Sequence, residues 1–177
     1  GSNTAVGKSA LTANTTASNN VAVGGSAMFS NTTGTSNTAI GTVALYANTT
    51  ASNNTAAGYY SLANSTTGAD NTAVGAESLE QVTTGNYNTA VGYRAADSVT
   101  TGTYNVAMGR RALDSVTTNS YNIAIGSSAL ESYTGAGNTA VGHQALTANT
   151  TGDANVAVGY NAGVSITTGA NSIAIGY

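Results

Sequence analysis

The sequence predicts an all-β protein, a parallel β-solenoid wound from one 17-residue coil. Three observations carry this: a glycine at a fixed interval along the chain, β-branched residues just before it, and charge confined to a few positions of the repeat. The glycines are Gly7, Gly24, Gly41, Gly58, Gly75, Gly92, Gly109, Gly126, Gly142, Gly159 and Gly176. Every interval is 17 residues except the last before Gly142, which is 16, so one residue is missing within 131–137 and the register survives it. Aligning the chain on itself gives the consensus NTAVGxxALxxNTTGxx, whose columns are numbered 1 to 17 from the Asn.

Column 3 is Ala in all eleven copies and column 5 is always Gly. Column 1 is Asn in ten, among them Asn37, Asn54, Asn71 and Asn88, with Ser172 last. Column 2 is Thr, Val or Ile, and column 4 is Val, Ile, Met or, once, Ala57. Such β-branched residues favour a strand. The glycine ends it, by positive φ or by close backbone approach. Columns 8 and 9, mostly Ala then Leu, predict a second short strand, and the NTTG-like segment turns the chain back. A helix fails its test, because Gly, Asn and paired Thr at fixed places leave no 3.6-residue stripe. Coils stacked at about 4.8 Å make about ten coils into a rod roughly 50 Å long. Residues 1–177 therefore read as one array, beginning at column 16 and stopping at Tyr177 in column 6. With no polar capping coil at either end, the expectation is a segment of a longer fibre.

Composition narrows the function. A 177-residue chain would ordinarily be one globular domain with about a quarter of its residues charged, whereas only 6% are charged here. Disorder pairs low hydrophobicity with high net charge, and this chain is 41% hydrophobic with net charge −3. The absence of cysteine removes disulfides, thiolate metal ligands and cysteine nucleophiles. Four Lys and Arg residues do not make a phosphate-neutralising surface, so nucleic acid is not an expected partner. No apolar run is long enough to insert directly into a membrane, and no signal-peptide pattern is present.

The charged residues fall only in columns 6 and 7 (Lys8, Glu77, Arg94, Arg110, Arg111), column 10 (Glu80, Asp97, Asp114, Glu131) and columns 16 and 17 (Asp70, Asp153). The loops are thus expected to be wet and the strands dry. Alternation puts columns 2 and 4 on one strand face and columns 1, 3 and 5 on the other, and neither face ever carries charge. Two uncharged faces predict that the outside of the roll is covered too, most economically by copies of the same chain in a parallel homotrimer. The expected packing has columns 4 and 9 filling a thin interior and the Ala, Asn and Gly face meeting the neighbouring copies. Stacked column-1 amides are expected to bond to one another as an Asn ladder. The competing reading is a monomeric solenoid acting as spacer or filament.

The NTAVG units and the NSIAIG unit at Asn171 to Gly176 resemble the head repeats of YadA-like trimeric autotransporter adhesins. The NTAVGxxAL form is also similar to repeats of bacteriophage tail fibres. The resemblance covers the whole chain and implies a left-handed parallel β-roll, a homotrimer, and a role in host attachment at a cell surface or on a virion. A surface glycan or protein is then the implied external partner, and no cofactor is implied. The period departs from the adhesin pattern, whose repeats are shorter; the extra residues here lie in the NTTG turn.

Little in the chain suggests catalysis. His143 is the only histidine and sits in column 6, without the positioned partner and cleft that acid–base work needs. No glycine precedes a helix with a Lys-Ser or Lys-Thr pair, as a phosphate loop would require. Glu80, Asp97, Asp114 and Glu131 stack like charges about 4.8 Å apart, which repel unless offset. Nearby arginines predict a solvated salt-bridge patch; the sharper alternative is a calcium site. Tyr87, Tyr104 and Tyr121 form a column-17 ladder that either stabilises the stack or offers a sugar or receptor contact. Paired Thr in columns 13 and 14 would suit ice only as a flat outward array, and adjacent residues point opposite ways. Asn14, Asn31, Asn48, Asn64 and Asn149 begin sequons that the repeat itself generates.

Overall fold

A computed structural model describes all of residues 1–177. The chain is all-β, with one three-residue strand per coil: β1 (Thr4–Val6), β2 (Val21–Val23), β3 (Thr38–Ile40), β4 (Thr55–Ala57), β5 (Thr72–Val74), β6 (Thr89–Val91), β7 (Val106–Met108), β8 (Ile123–Ile125), β9 (Thr139–Val141), β10 (Val156–Val158) and β11 (Ile173–Ile175). They form one parallel sheet in sequence order, each paired only with its neighbours. Register is exact to the column: Ala73 faces Ala90, and across the short coil Ala124 faces Ala140. The missing residue is therefore absorbed outside the sheet.

Columns 8 and 9 are not a second strand, which corrects the two-strand coil expected from the sequence. The chain rounds its tight circuit through residues of positive φ: in the fifth coil Glu77 at 57°, Leu79 at 49° and Tyr87 at 58°. Each left-handed residue costs about 1–2 kcal/mol, and hydrogen bonds between coils hold it there. Within the coil, Ser78 N–H donates to Gly75 C=O at 3.4 Å and Val82 N–H to Leu79 C=O at 3.3 Å, closing two turns. Between coils, Leu79 N–H donates to Ala95 C=O at 3.0 Å, Gln81 to Asp97 at 3.1 Å and Thr83 to Thr100 at 2.9 Å. Most of the coil outside the strand is thus also laced to the next coil.

The column-5 glycine meets both conditions set for it. Gly75 has φ of +132°, and a Cβ there would lie 2.5 Å from the carbonyl oxygen of Gly92. Glycine stacks on glycine because nothing larger fits between the coils.

Column 9 fills the interior as expected, but the strand's inward side is inverted. Column 3 points inward: Ala22, Ala39, Ala56, Ala73, Ala90, Ala107, Ala124, Ala140 and Ala157 are buried, with column 8 and the column-9 residues Leu45, Leu62, Leu79, Leu113, Leu130 and Leu146. Column 4 points out, with Ile40 48% and Met108 41% exposed. A 17-residue circuit leaves room for only a methyl opposite the leucines, so the larger β-branched residues stand outside. The column-1 asparagines just ahead of β2 through β10 are buried.

Those asparagines form a ladder whose bonding also differs from expectation. The Oδ1 of Asn37 accepts the backbone N–H of Asn54 at 2.9 Å, and its Nδ2 donates to Ala51 C=O at 2.8 Å, joining the strand to the end of its own coil. Amide-to-amide bonds are added only in the middle, as from Asn105 Nδ2 to Asn88 Oδ1 at 3.1 Å. The ladder chiefly satisfies backbone groups, which are expensive to bury unpaired.

The short coil has its own device. Tyr133, fully buried, stands in column 12, and its hydroxyl donates to Gly152 C=O at 2.8 Å while accepting from Asn138 Nδ2. Elsewhere the column-1 amide reaches that carbonyl directly, as Asn155 does to Gly169 at 2.7 Å. The short coil's own amide, Asn122 Nδ2, still reaches Gly135 C=O at 3.3 Å; its phenol is a relay inserted between the amide and the carbonyl of the next coil.

Candidate interaction surfaces

The rod has no cleft, so its surface features are columns that run along it. The first is the outward face of the sheet. Columns 2 and 4 alternate with the buried columns 1 and 3, and they carry Thr or Val/Ile followed by Val, Ile, Met or Ala in all eleven strands. No charged residue interrupts this face. It is more apolar than the Thr-Ala-Val pattern at β7 and β8, with Val106, Met108, Ile123 and Ile125, and at β10 and β11, with Val156, Val158, Ile173 and Ile175.

Two corners bound the face. Column 17 turns the chain in with φ near 60°, and column 5 turns it out with glycine. Exposed tyrosines gather at these corners. Of eight exposed tyrosines, seven stand in column 17 (Tyr87, Tyr104, Tyr121) or column 6 (Tyr59, Tyr93, Tyr160, Tyr177), leaving only Tyr46 elsewhere. The predicted column-17 ladder is present. Tyr87 and Tyr104 stack at 4.8 Å between centroids, and Tyr104 and Tyr121 at 5.3 Å with 3° between ring planes. Both faces of Tyr104 are used within the ladder, so its free surface is ring edge and hydroxyl. A sugar that stacks on ring faces finds none free on that middle ring. His143 stacks on Tyr160 at 5.1 Å, and Tyr160 on Tyr177 at 5.4 Å.

The acidic column is an ion-pair staircase. Arg94 binds Oδ2 of Asp97 through Nη2 at 2.8 Å and Nε at 3.2 Å, and lies 3.7 Å from Glu77. Arg111 binds Asp114 at 3.0 Å and Glu131 at 2.6 Å. The patch is less wet than its sequence suggests, since Asp97 is 7% and Asp114 4% exposed. Burial, as the main cause, raises the Asp114 carboxyl above its ordinary pKa, against the opposing Arg111 and Arg94. Glu80 is raised by burial and by the Asp97 and Glu77 charges, with Arg94 opposing. Each guanidinium takes only Oδ2 of its aspartate, and Oδ1 of both Asp97 and Asp114 is buried without a hydrogen-bond partner; no group of three or more Asp, Glu, His or Cys is arranged to hold a metal. Arg110 stays outside the staircase and makes no ion pair.

Most column 13 hydroxyls are taken by the next coil, as Thr49 Oγ1 donating to Thr66 C=O at 3.1 Å. Column 14 leaves an exposed file from Thr16 to Thr168, interrupted at Gly135, and column-13 Thr15, Thr117, Thr134, Thr150 and Thr167 are exposed beside it. Among the sequon asparagines, Asn31, Asn48 and Asn149 are buried, and Asn64 is exposed.

Sequence reasoning named the tyrosine ladder, the acidic column, the glycines and the asparagines. It chose the wrong strand face as the outward one, although an alanine in column 3 of all eleven copies, beside larger apolar residues, signalled which side was cramped. Comparison with protein-family models, curated proteins and solved structures returned no match.

Proposed function

We propose that this chain is a non-catalytic segment of an extracellular attachment fibre, on a virion or a cell surface, in which three parallel copies of a left-handed β-roll pack about a common axis. The observation that carries the reading is the outward strand face: uncharged and continuous over eleven strands, with an apolar residue in column 4 of each and Thr, Val or Ile in column 2. Exposed apolar area of that extent marks a surface that meets a partner. A stack of identical coils presents the same residues at every level, and the partner that repeats with the same period is another copy of the chain. The charged staircase and the threonine file lie off this face and keep the outside of such a fibre solvated. The resemblance to adhesin heads and tail-fibre repeats supports the attachment role, with a host-surface glycan or protein as the external partner.

A charge placed on the face tests the reading. Ile125→Asp is expected to dissociate or unfold the assembly, whereas Thr84→Asp, on the exposed threonine file, leaves its hydrodynamic size unchanged. An Ile125→Asp protein of unaltered size would favour a single-chain solenoid serving as spacer or filament.

A further inference from the structure

We infer that the two tyrosine-bearing corners are the two halves of one seam between copies, with column 17 of one chain meeting column 6 of the next, and that Arg110 closes on the Tyr87–Tyr104–Tyr121 ladder of its neighbour. This rests on the parallel trimer proposed above and adds to it which side chains join one copy to the next.

The argument begins with area. Ten spacings of about 4.8 Å and a strand about 10 Å wide give a face of roughly 500 Å², whereas a stable interface takes about 800 Å² from each partner. In a three-fold arrangement that face is shared between two neighbours, so the strands alone are insufficient and the corners must contribute. The corners carry the residues suited to it: seven of the eight exposed tyrosines stand there, and interfaces are enriched in Tyr and Arg.

Symmetry fixes which corner meets which. A closed three-fold ring is heterologous, so unlike edges meet. With the axis along the stack, equal coils lie at equal height. Tyr104 enters β7 and Arg110 follows it, so the two stand at one level on opposite corners. Within a chain the three-residue strand β7, about 10 Å long, and the corners at its two ends separate them. Across the seam they face each other. Arg110 is the one arginine without a carboxylate partner, and Tyr87, Tyr104 and Tyr121 are 51%, 48% and 65% exposed. Since both ring faces of Tyr104 are taken within the ladder, the guanidinium pairs there through its N–H groups donating to the tyrosine hydroxyls, and Tyr93, one coil back in column 6, extends the same edge.

The chain has no cysteine, which makes the test direct. The double variant Tyr104→Cys/Arg110→Cys is treated with a short bis-maleimide, and Tyr87→Cys/Tyr93→Cys serves as an independent pair at the level of β6. The expected product on a denaturing gel is a covalent trimer from each double variant, with single chains from each single variant. Covalent dimers from Tyr104→Cys alone would show that like corners meet and would overturn the seam. Single chains from both double variants, when sedimentation shows three copies, would overturn it while leaving the trimer standing. A monomeric mass for the unmodified protein would remove the reading beneath it as well.

Discussion

The side-chain oxygen of Asn88 accepts the backbone N–H of Asn105, one coil further on, at 3.0 Å, while its Nδ2 donates to Gly102 C=O at 2.9 Å. One side chain therefore ties a strand to the next coil and closes its own. Asn88→Leu fills the space yet leaves a buried N–H and a buried carbonyl without these partners, at about 1–3 kcal/mol each. Because neighbouring coils couple locally, the loss is expected as fast hydrogen exchange at the Asn105 amide together with a lower denaturation midpoint. Full protection of that amide would contradict the role given to the ladder.

The glycine column is expected to tolerate no substitution between coils. Gly75→Ala drives a Cβ against the backbone carbonyl of Gly92 at a φ of +132°, and neither side can yield. The expected loss is about 3 kcal/mol or more. Gly137→Ala is the control: its φ is +70° with open space around it, so it should cost only about 1–2 kcal/mol. Chemical denaturation of the two variants side by side checks the difference.

Tyr133→Phe deletes the relay of the short coil. Gly152 C=O and Asn138 Nδ2 lose the same hydroxyl, so destabilisation of about 1–3 kcal/mol for each buried group left unpaired is expected. Burial, and then the charge of Asp153, push this phenol far above the usual tyrosine range. Ultraviolet titration of the folded protein through that range should therefore be the same with and without Tyr133. A lost step would show the hydroxyl open to solvent.

Acidification is expected to stabilise the array at first. Glu80 and Asp114 have raised pKa values in the folded protein, with burial the first cause in each. A raised carboxyl binds its proton more tightly folded than unfolded, so stability contributed by these groups grows as pH falls through their folded values toward the ordinary carboxylate range near ~4. Melting temperature should rise over that window from neutral pH, and Glu80→Gln should flatten part of the rise. An equal slope in the variant would contradict the assignment. At pH 7 a chelator should leave the melting curve unchanged, since Arg94 and Arg111 pair with Asp97, Asp114 and Glu131; a chelator-dependent drop would point to calcium instead.

How much of this was legible depended on the residue. Gly75 and its ten counterparts, the strand ahead of each, and the parallel register follow from spacing alone. The inward side of the strand does not follow from alternation, because Ala90 and Val91 are both apolar. It follows from size, since only a methyl fits opposite Leu79 in so short a coil. Leu79 itself, at positive φ, defies local preference, and a strand was expected where stacking holds a turn. Asp97 looked like a loop residue by composition, yet stacking on its neighbours buries it. Tyr133 gave no signal beyond standing in the one short repeat, where a large polar-tipped side chain replaces Asn or Val.

The central claim is that the apolar strand face is covered by copies of the same chain, and sedimentation equilibrium of the protein near neutral pH without denaturant tests it most directly. The account predicts a mass about three times the 17.3 kDa of one chain. A folded species at the mass of a single chain would contradict it.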